Sequence, residues 1–316
     1  MSSRQFGNIG VLMGGYSSER EISLRSGQAV AEALSQEGYR VVPLDITAND
    51  SPKIIQQIQK APLDVAFIAL HGRLGEDGTI QDILEKLDIP YTGCGVKASQ
   101  TAFNKILTQK ALAAAGLPVP VHYCITDGKV VDFKGAWNHI KSTPMVVKPA
   151  CEGSSIGVHM VRHPSEWEPA FKNALNYGPQ IIIEQFIRGR EFTAGIFDRE
   201  CLPLVEICPN ATFFNFTAKY QKGATQYVCP AVIDEGLAGK IKAMSLAAAE
   251  VLGCQEFCRV DLRVDDNRQP FILEINTIPG FTGTSLFPKA AKEAGYSFVQ
   301  VCEKLLDLAY GKKVKR

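Results

Sequence analysis

Long apolar runs, paired cysteines, an excess of one charge and the common nucleotide-loop signatures are all missing from this 316-residue sequence. No stretch approaches the roughly 20 apolar residues that cross a bilayer as a helix, and Met1-Ser2-Ser3-Arg4-Gln5-Phe6 lacks the apolar core of a signal peptide. Lys and Arg total 34 against 33 Asp and Glu, so no overall field recruits nucleic acid or an anionic membrane. The basic end, Gly311 to Arg316, reads as a solvated tail. Nine cysteines form no CxxC pair, and Cys254 with Cys258 has no second pair to complete a zinc site. They read as reduced, mostly buried side chains of a cytoplasmic protein. Neither GxxxxGK(S/T) nor GxGxxG occurs, which sets aside Walker-type loops and dinucleotide folds. Of five histidines none follows His163, so the GxSxG match at Gly153-Ser154-Ser155-Ile156-Gly157 lacks the later His that a nucleophile elbow requires. His122, His139, His159 and His163 share no metal-ligand spacing.

What remains is ordinary for a globular chain of two or three domains, with 46% hydrophobic and 21% charged residues. The first 90 residues alternate strand and helix, as in an α/β parallel sheet. Ile9 to Met13 is a buried strand ended by Gly14-Gly15, and Ser18 with Glu21 fits a capping box opening a helix that stops near Gly38. Tyr39 to Leu44 and Val65 to Leu70 are further strands, the latter ending at His71-Gly72. Ligands of such sheets sit at the carboxyl ends of strands, where both glycine turns lie. A single helix is predicted over Ala98 to Ala115. Strands follow at Met145 to Lys148, Val158 to Val161 and Ile181 to Glu184, with a helix from Ser165 to Asn176. Beyond them, strands are expected near Glu191 to Phe197, Val205 to Ile207 and Arg259 to Val264, with helices over Gly239 to Leu252 and Phe298 to Ala309.

The sharpest chemical signal is a pair of strands. Alternation puts Arg259 and Asp261 on one face and Val260, Leu262 and Val264 on the other. After the turn at Asp265-Asp266-Asn267, the same rule groups Phe271, Leu273 and Ile275, leaving Glu274 and Asn276 opposite. A hairpin would gather Asp261, Glu274 and Asn276 as hard oxygen ligands of the kind Mg²⁺ prefers; a solvated sheet face is the plainer alternative. Second comes the glycine-rich run Glu152 to Gly157, whose N–H groups and serines suit phosphate, with Lys148 and Lys105 upstream. A plain hairpin turn would also use such a run.

Eight motifs in order carry a family resemblance: Gly14 to Glu21, His71 to Gly78, Tyr91-Thr92-Gly93, Lys148-Pro149 with Glu152 to Ser155, Glu191-Phe192-Thr193, Ala218-Lys219-Tyr220, Arg259-Val260-Asp261 and Leu273 to Gly280. Over nearly its whole length the sequence resembles the D-alanine–D-alanine ligases of the ATP-grasp superfamily. The resemblance implies an α/β chain of three-domain ATP-grasp architecture: a Rossmann-like parallel-sheet domain over 1–93, a central ATP-grasp domain over 94–185 and a C-terminal one over 186–316. It further implies ATP and two Mg²⁺ ions, with Mn²⁺ as a substitute, and a homodimer.

By the same resemblance, Lys105, Lys148 and Lys219 would contact phosphates, Glu184 and Glu191 would hold adenine and ribose, and the metals would sit on Asp261, Glu274 and Asn276. Glu19, near His71, would bind the first D-alanine, while Arg259, Gly280, Ser285 and Leu286 would receive the second. Glu19, Ser154 and Tyr220 would tie a lid over the substrates. The connection 208–230, with Phe213, Phe214, Phe216, Tyr220 and Tyr227, is the candidate lid, though ordinary core packing would use the same aromatics. Gln185 and Thr284 depart from the family pattern, which has Lys and, in some members, His there. Sibling ligases that accept D-lactate or D-serine, and a non-catalytic ATP-grasp module, are the rival readings; Tyr220 favours D-alanine.

Overall fold

Ile9, Val11 and Met13 alternate with Gly10 and Leu12 along the first strand, and this alternation decides how the N-terminal layer packs. The computed structural model describes residues 6–209, 225–254 and 256–313. β1 (Asn8–Gly14), β2 (Arg40–Ile46) and β3 (Val65–Ile68) form a parallel sheet in the order β2-β1-β3. Ile9, Val11, Met13, Val65 and Phe67 enter one core with Val30 and Leu34 of α1 (Arg20–Gln36). Leu12, Ala66 and Ile68 enter another with α2 (Ser51–Gln59) and α3 (Thr79–Lys86). With both faces covered, the inner strands are apolar throughout.

The expected capping box does not form. Glu19 holds the N-cap position of α1 without a side-chain cap bond, and Ser18 is exposed. Ser17 does the local work instead: its hydroxyl accepts from the Glu19 N–H at 3.2 Å and donates to the His71 carbonyl at 2.7 Å. The Glu19 carboxylate is thereby left for longer-range contacts. The single helix expected over Ala98 to Ala115 is also two, α4 (Val96–Phe103) and α5 (Lys105–Ala114). Asn104 leaves the helical region at φ −92° and ψ 103°, and its side chain accepts from the N–H groups of Ile106 and Leu107. That break makes Lys105 the first residue of α5.

β4 (His122–Ile125), β5 (Met145–Pro149), β6 (His159–Val161) and β7 (Ile181–Gln185) make an antiparallel sheet in the order β4-β7-β5-β6. Helices α6 (Phe133–Ile140) and α7 (Trp167–Leu175) cover one of its faces. A strand follows the glycine-rich run, so the strand–turn–helix context of a nucleophile elbow is not met.

The third sheet is also antiparallel. It contains β8 (Arg190–Phe197), β9 (Glu200–Cys201), β10 (Val205–Pro209), β11 (Thr225–Val228), β12 (Phe257–Val264) and β13 (Pro270–Asn276), ordered β11-β10-β8-β12-β13 with β9 beside β8. α8 (Glu235–Leu252) packs on it and starts ahead of the expected Gly239, because Asp234 caps it by accepting from the Leu237 N–H at 3.1 Å. α9 (Leu286–Glu293), which the sequence reading did not foresee, and α10 (Phe298–Lys313) close the described chain. α10 returns to the first layer, where Tyr39 donates to Glu303 at 2.7 Å. Both ends of the expected lid are strand: Ile207 pairs with Tyr227 across β10 and β11. Phe213, Phe214, Phe216, Lys219 and Tyr220 lie outside the described residues.

Candidate functional site

Along β5, Met145 and Val147 point into the core beneath α6 and α7, so Val146 and Lys148 point away from it. Along β7, Ile181 and Ile183 point inward and Glu184 outward. The two outward charges meet: Lys148 Nζ lies 2.8 Å from Glu184 Oε2, with both side chains under a tenth exposed. The second oxygen, Glu184 Oε1, is buried without a hydrogen-bond partner among the described residues. A buried acceptor left unmet costs about 1–3 kcal/mol, so this one is a candidate acceptor for a ligand's donor. It lines a slot of about 90 Å³ between the second and third sheets, together with Lys105, Glu191, Asp261, Arg263 and Glu274. Arg263 donates to Glu191 at 2.9 Å and its guanidinium lies 4.8 Å from the centre of the Phe186 ring.

Across the third sheet the strands carry their polar residues in register. Thr193, Asp261 and Glu274 form one row over β8, β12 and β13, and Gly195, Arg259 and Asn276 the next. Val260, Leu262 and Val264 are buried on the other face as expected. The expectation for β13 needs correction. Pairing steps from Asp261–Glu274 to Leu262–Ile272, so Leu273 is the extra residue of a β-bulge. Ile272 and Ile275 are the buried pair, while Leu273 and Glu274 both face the slot. Without that extra residue, strict alternation would not put Ile272 and Ile275 on one face.

Arg259 holds Asp261 with two bonds of 2.8 Å, and Thr193 donates to Asp261 Oδ1 at 2.5 Å. Lys105 Nζ lies 3.1 Å from Glu274 Oε2 and donates to the Glu152 carbonyl at 2.6 Å. Burial pulls the Lys105 ammonium down, but the Glu274 carboxylate outweighs it and leaves the group above the ordinary lysine value. The Asn276 amide satisfies its neighbours when its oxygen accepts from Arg259 at 2.8 Å and its nitrogen donates to Glu76 at 3.3 Å. Asp261 and Glu274 are cross-strand partners, and Arg259 links Asp261 to Asn276; all three carry oxygen, the donor type a hard divalent cation takes.

The slot opens into a larger cavity of about 720 Å³, and Lys105, Glu152 and Glu274 line both. At its N-terminal end lies Glu19, which accepts from the Ser154 hydroxyl. Ser154 and Ser155 take left-handed conformations with φ of 51° and 58°. His71 sits beside Glu19, its Nδ1 facing the Ile278 carbonyl and its Nε2 facing Ser26 Oγ, each at 3.0 Å. A carbonyl oxygen can only accept, so Nδ1 carries a proton. Glu76 accepts from the Gly72 N–H at 3.1 Å, and burial pushes its carboxyl up, with His71 opposing. At the other end are Arg259, Gly280, Ser285 and Leu286. Ser285 Oγ accepts from the Thr282 N–H at 3.1 Å.

Three comparisons bear on this arrangement. The family model described as D-ala D-ala ligase C-terminus matches residues 111–307, and that described as D-ala D-ala ligase N-terminus matches 8–57 and 48–94. A D-alanine–D-alanine ligase of Geobacter sulfurreducens is 43% identical over 300 residues, covering 94% of this chain and 92% of its own. The chain belongs to the D-alanine–D-alanine ligase family. Among solved structures, a D-alanine–D-alanine ligase from Bacillus anthracis complexed with ATP is 31% identical, with a TM-score of 0.85 over 98% of this chain and 99% of that one. A D-Ala:D-Ser ligase from Enterococcus faecalis is 28% identical, with a TM-score of 0.80 over 96% and 99%. The mixed α/β ATP-grasp architecture is thus the family's own.

In this ligase chain each described site residue expected from the sequence lines one of the two cavities; Lys219 and Tyr220 fall outside the described residues. Sequence reasoning passed over several neighbours. Arg263 shares a strand face with Asp261 at a spacing of two and was there to be found. Thr193 becomes meaningful only once β8 pairs with β12. Glu76 was within a recognised motif, but its contact with Asn276 spans the fold.

Proposed function

We propose that this chain joins two D-alanines into D-alanyl-D-alanine, hydrolysing ATP to ADP and phosphate through a D-alanyl phosphate, for peptidoglycan precursor synthesis. The observation that carries the reading is the shared wall of Lys105, Glu152 and Glu274, which puts a nucleotide slot in contact with a cavity for amino-acid substrates. The family relationship supplies the substrate class. Free cysteines throughout the described residues suit the cytoplasm. The reading includes three units over 1–93, 94–185 and 186–316, acting as a homodimer.

In this mechanism Glu184 and Glu191 hold the adenine and ribose, and Lys105 and Lys148, with Lys219, hold the phosphates. Asp261, Glu274 and Asn276 would hold two Mg²⁺ ions, which supply charge neutralisation to the transferring phosphoryl group. Glu19 receives the ammonium of the first D-alanine beside His71, leaving its carboxylate toward the shared wall. That carboxylate oxygen attacks the γ-phosphorus and ADP leaves. The amine of the second D-alanine, held by Ser285 and Leu286, then attacks the acyl carbon. Arg259 and the Gly280 N–H donate to the oxyanion that forms. Phosphate departs with the oxygen that came from the first substrate. Tyr220, outside the described residues, would share with Glu19 and Ser154 the work of keeping water from the acyl phosphate.

The test is phosphate release from ATP with D-alanine, L-alanine, D-serine and D-lactate compared in parallel, with the product identified. Dipeptide from D-alanine is expected. Preference for D-serine as the second substrate would move the chain toward the D-Ala:D-Ser ligases it also resembles, and release with none of them would end the ligase reading.

A further inference from the structure

Lys289 stands where elementary electrostatics disfavours a cation. It lies at the start of α9, near the positive pole of the helix, in a first turn with no acidic residue. Ser285 makes no side-chain cap bond to that helix. The Lys289 side chain is half-buried and lines the larger cavity. Of the basic side chains in that cavity, Lys105 is paired with Glu274 and Arg259 with Asp261, while exposed Arg25 donates to the Glu21 carbonyl. Among the described residues no carboxylate lies within ion-pair distance of Lys289. Its ammonium sits 5.3 Å from the centre of the Tyr227 ring. A local rule is broken here, and among the described residues a ring face is the contact recorded for the ammonium; such breaks mark functional positions.

We propose that Lys289 is a substrate-binding residue that holds the carboxylate of the second D-alanine and so selects an amino acid over a simple amine. The inference rests on the ligase reading. The physical need is plain: the same cavity is lined by four carboxylates, Glu19, Glu76, Glu152 and Glu274, against the three other cations Arg25, Lys105 and Arg259, so without Lys289 the balance of fixed charge opposes an incoming carboxylate. Lys289, beside Ser285, offsets that balance where the second substrate enters. Its ammonium already lies over the Tyr227 ring, which limits the freedom lost when the carboxylate arrives. The amine of the second substrate must reach the acyl phosphate uncharged, so the carboxylate is the only fixed charge available to orient it.

The experiment compares the parent enzyme with Lys289→Met, which keeps the stem and removes the charge, and with Lys289→Arg. Dipeptide formation by the parent is measured first; its absence would defeat the ligase reading and not this inference. In Lys289→Met the KM for the second D-alanine is expected to rise about 3- to 10-fold. The kcat and the KM for ATP should hold, and kcat/KM should lose part of its dependence on ionic strength. Lys289→Arg should restore affinity and salt dependence together. D-alanine amide, which lacks the carboxylate, should inhibit parent and Lys289→Met equally. An unchanged second-site KM, a loss confined to kcat, or equal weakening of the amide would overturn the proposal. If Lys289→Met fails to fold, Lys289→Gln is read by the same criteria.

Discussion

Ser154 donates its hydroxyl hydrogen to Glu19 across 135 positions of sequence. The bond ties the glycine-rich run between the central strands to the first turn after β1, so it exists only when those two units are docked. Ser154 reaches Glu19 from a left-handed backbone conformation, φ 51°, that disfavours residues with a Cβ. Strain and contact meet at one residue, which is where a fold spends stability on function.

Removing that hydroxyl should uncouple the reaction. Ser154→Ala deletes a bond to a charged group, worth roughly 1.5–3 kcal/mol, and is expected to raise the ratio of phosphate released to dipeptide formed. Ser154→Gly removes the same hydroxyl and relaxes the backbone. Equal uncoupling in both assigns the effect to the hydroxyl; uncoupling in the alanine variant alone assigns it to strain. If Tyr220 shares the role, adding Tyr220→Phe to Ser154→Ala should give less than the sum of the two effects.

A methyl group at Gly153 tests the same wall by steric means. A Cβ there would collide with Glu19 Oε2, and Glu19, bonded to Ser154 and buried, cannot yield without losing that bond. Gly153→Ala should weaken the first D-alanine by about tenfold, some 1.4 kcal/mol, while the melting temperature stays near the parent's. Unchanged first-site affinity would show that Glu19 does not hold that substrate.

The acidic row predicts a graded series. Asp261→Asn and Glu274→Gln should each lower kcat by about 10²–10³ with the fold kept. Thr193→Val preserves volume but removes the 2.5 Å bond to Asp261, a loss of about 1 kcal/mol. Its expected mark is a Mn²⁺ affinity lowered about fivefold in an electron-paramagnetic titration without nucleotide. Unaltered Mn²⁺ binding in all three variants would remove the metal assignment.

Acid stability should depend on Asp234. Its bond to Arg268, and then the Leu237 N–H it caps, hold the carboxyl below its ordinary value of 3.8. A folded-state value below the unfolded one stabilises the fold above pH 3.8 and loses that contribution as pH falls through the folded value. Asp234→Ala should therefore melt below the parent at neutral pH, with the gap closing in acid. A gap that stays constant with pH would assign the effect to something other than the charge.

Much of this site was legible before any coordinates. Alternation along Arg259 to Val264 puts Arg259 and Asp261 on one face, whereas Glu184 was named through the family resemblance and its meeting with Lys148 follows from the pairing of β5 with β7. Alternation is a property of the extended backbone itself, so it can be read from neighbours in sequence. It failed at Leu273, because a bulge arises between two strands and neither strand alone announces it. It could not show that the helix through Phe103 breaks at Asn104, where the gain lies in presenting Lys105 to Glu152 and Glu274 from distant segments.

The sequence by itself determined which residue types are present, which face each strand offers and, through motifs in order, which family the chain resembles. Tertiary structure alone decided that Glu19 meets Ser154, that Thr193 supports Asp261 and that Lys289 stands without a carboxylate among the described residues. The reason is physical. Side-chain direction follows from local backbone geometry, whereas a partner many residues away is chosen by how whole layers pack, and no local pattern encodes that choice.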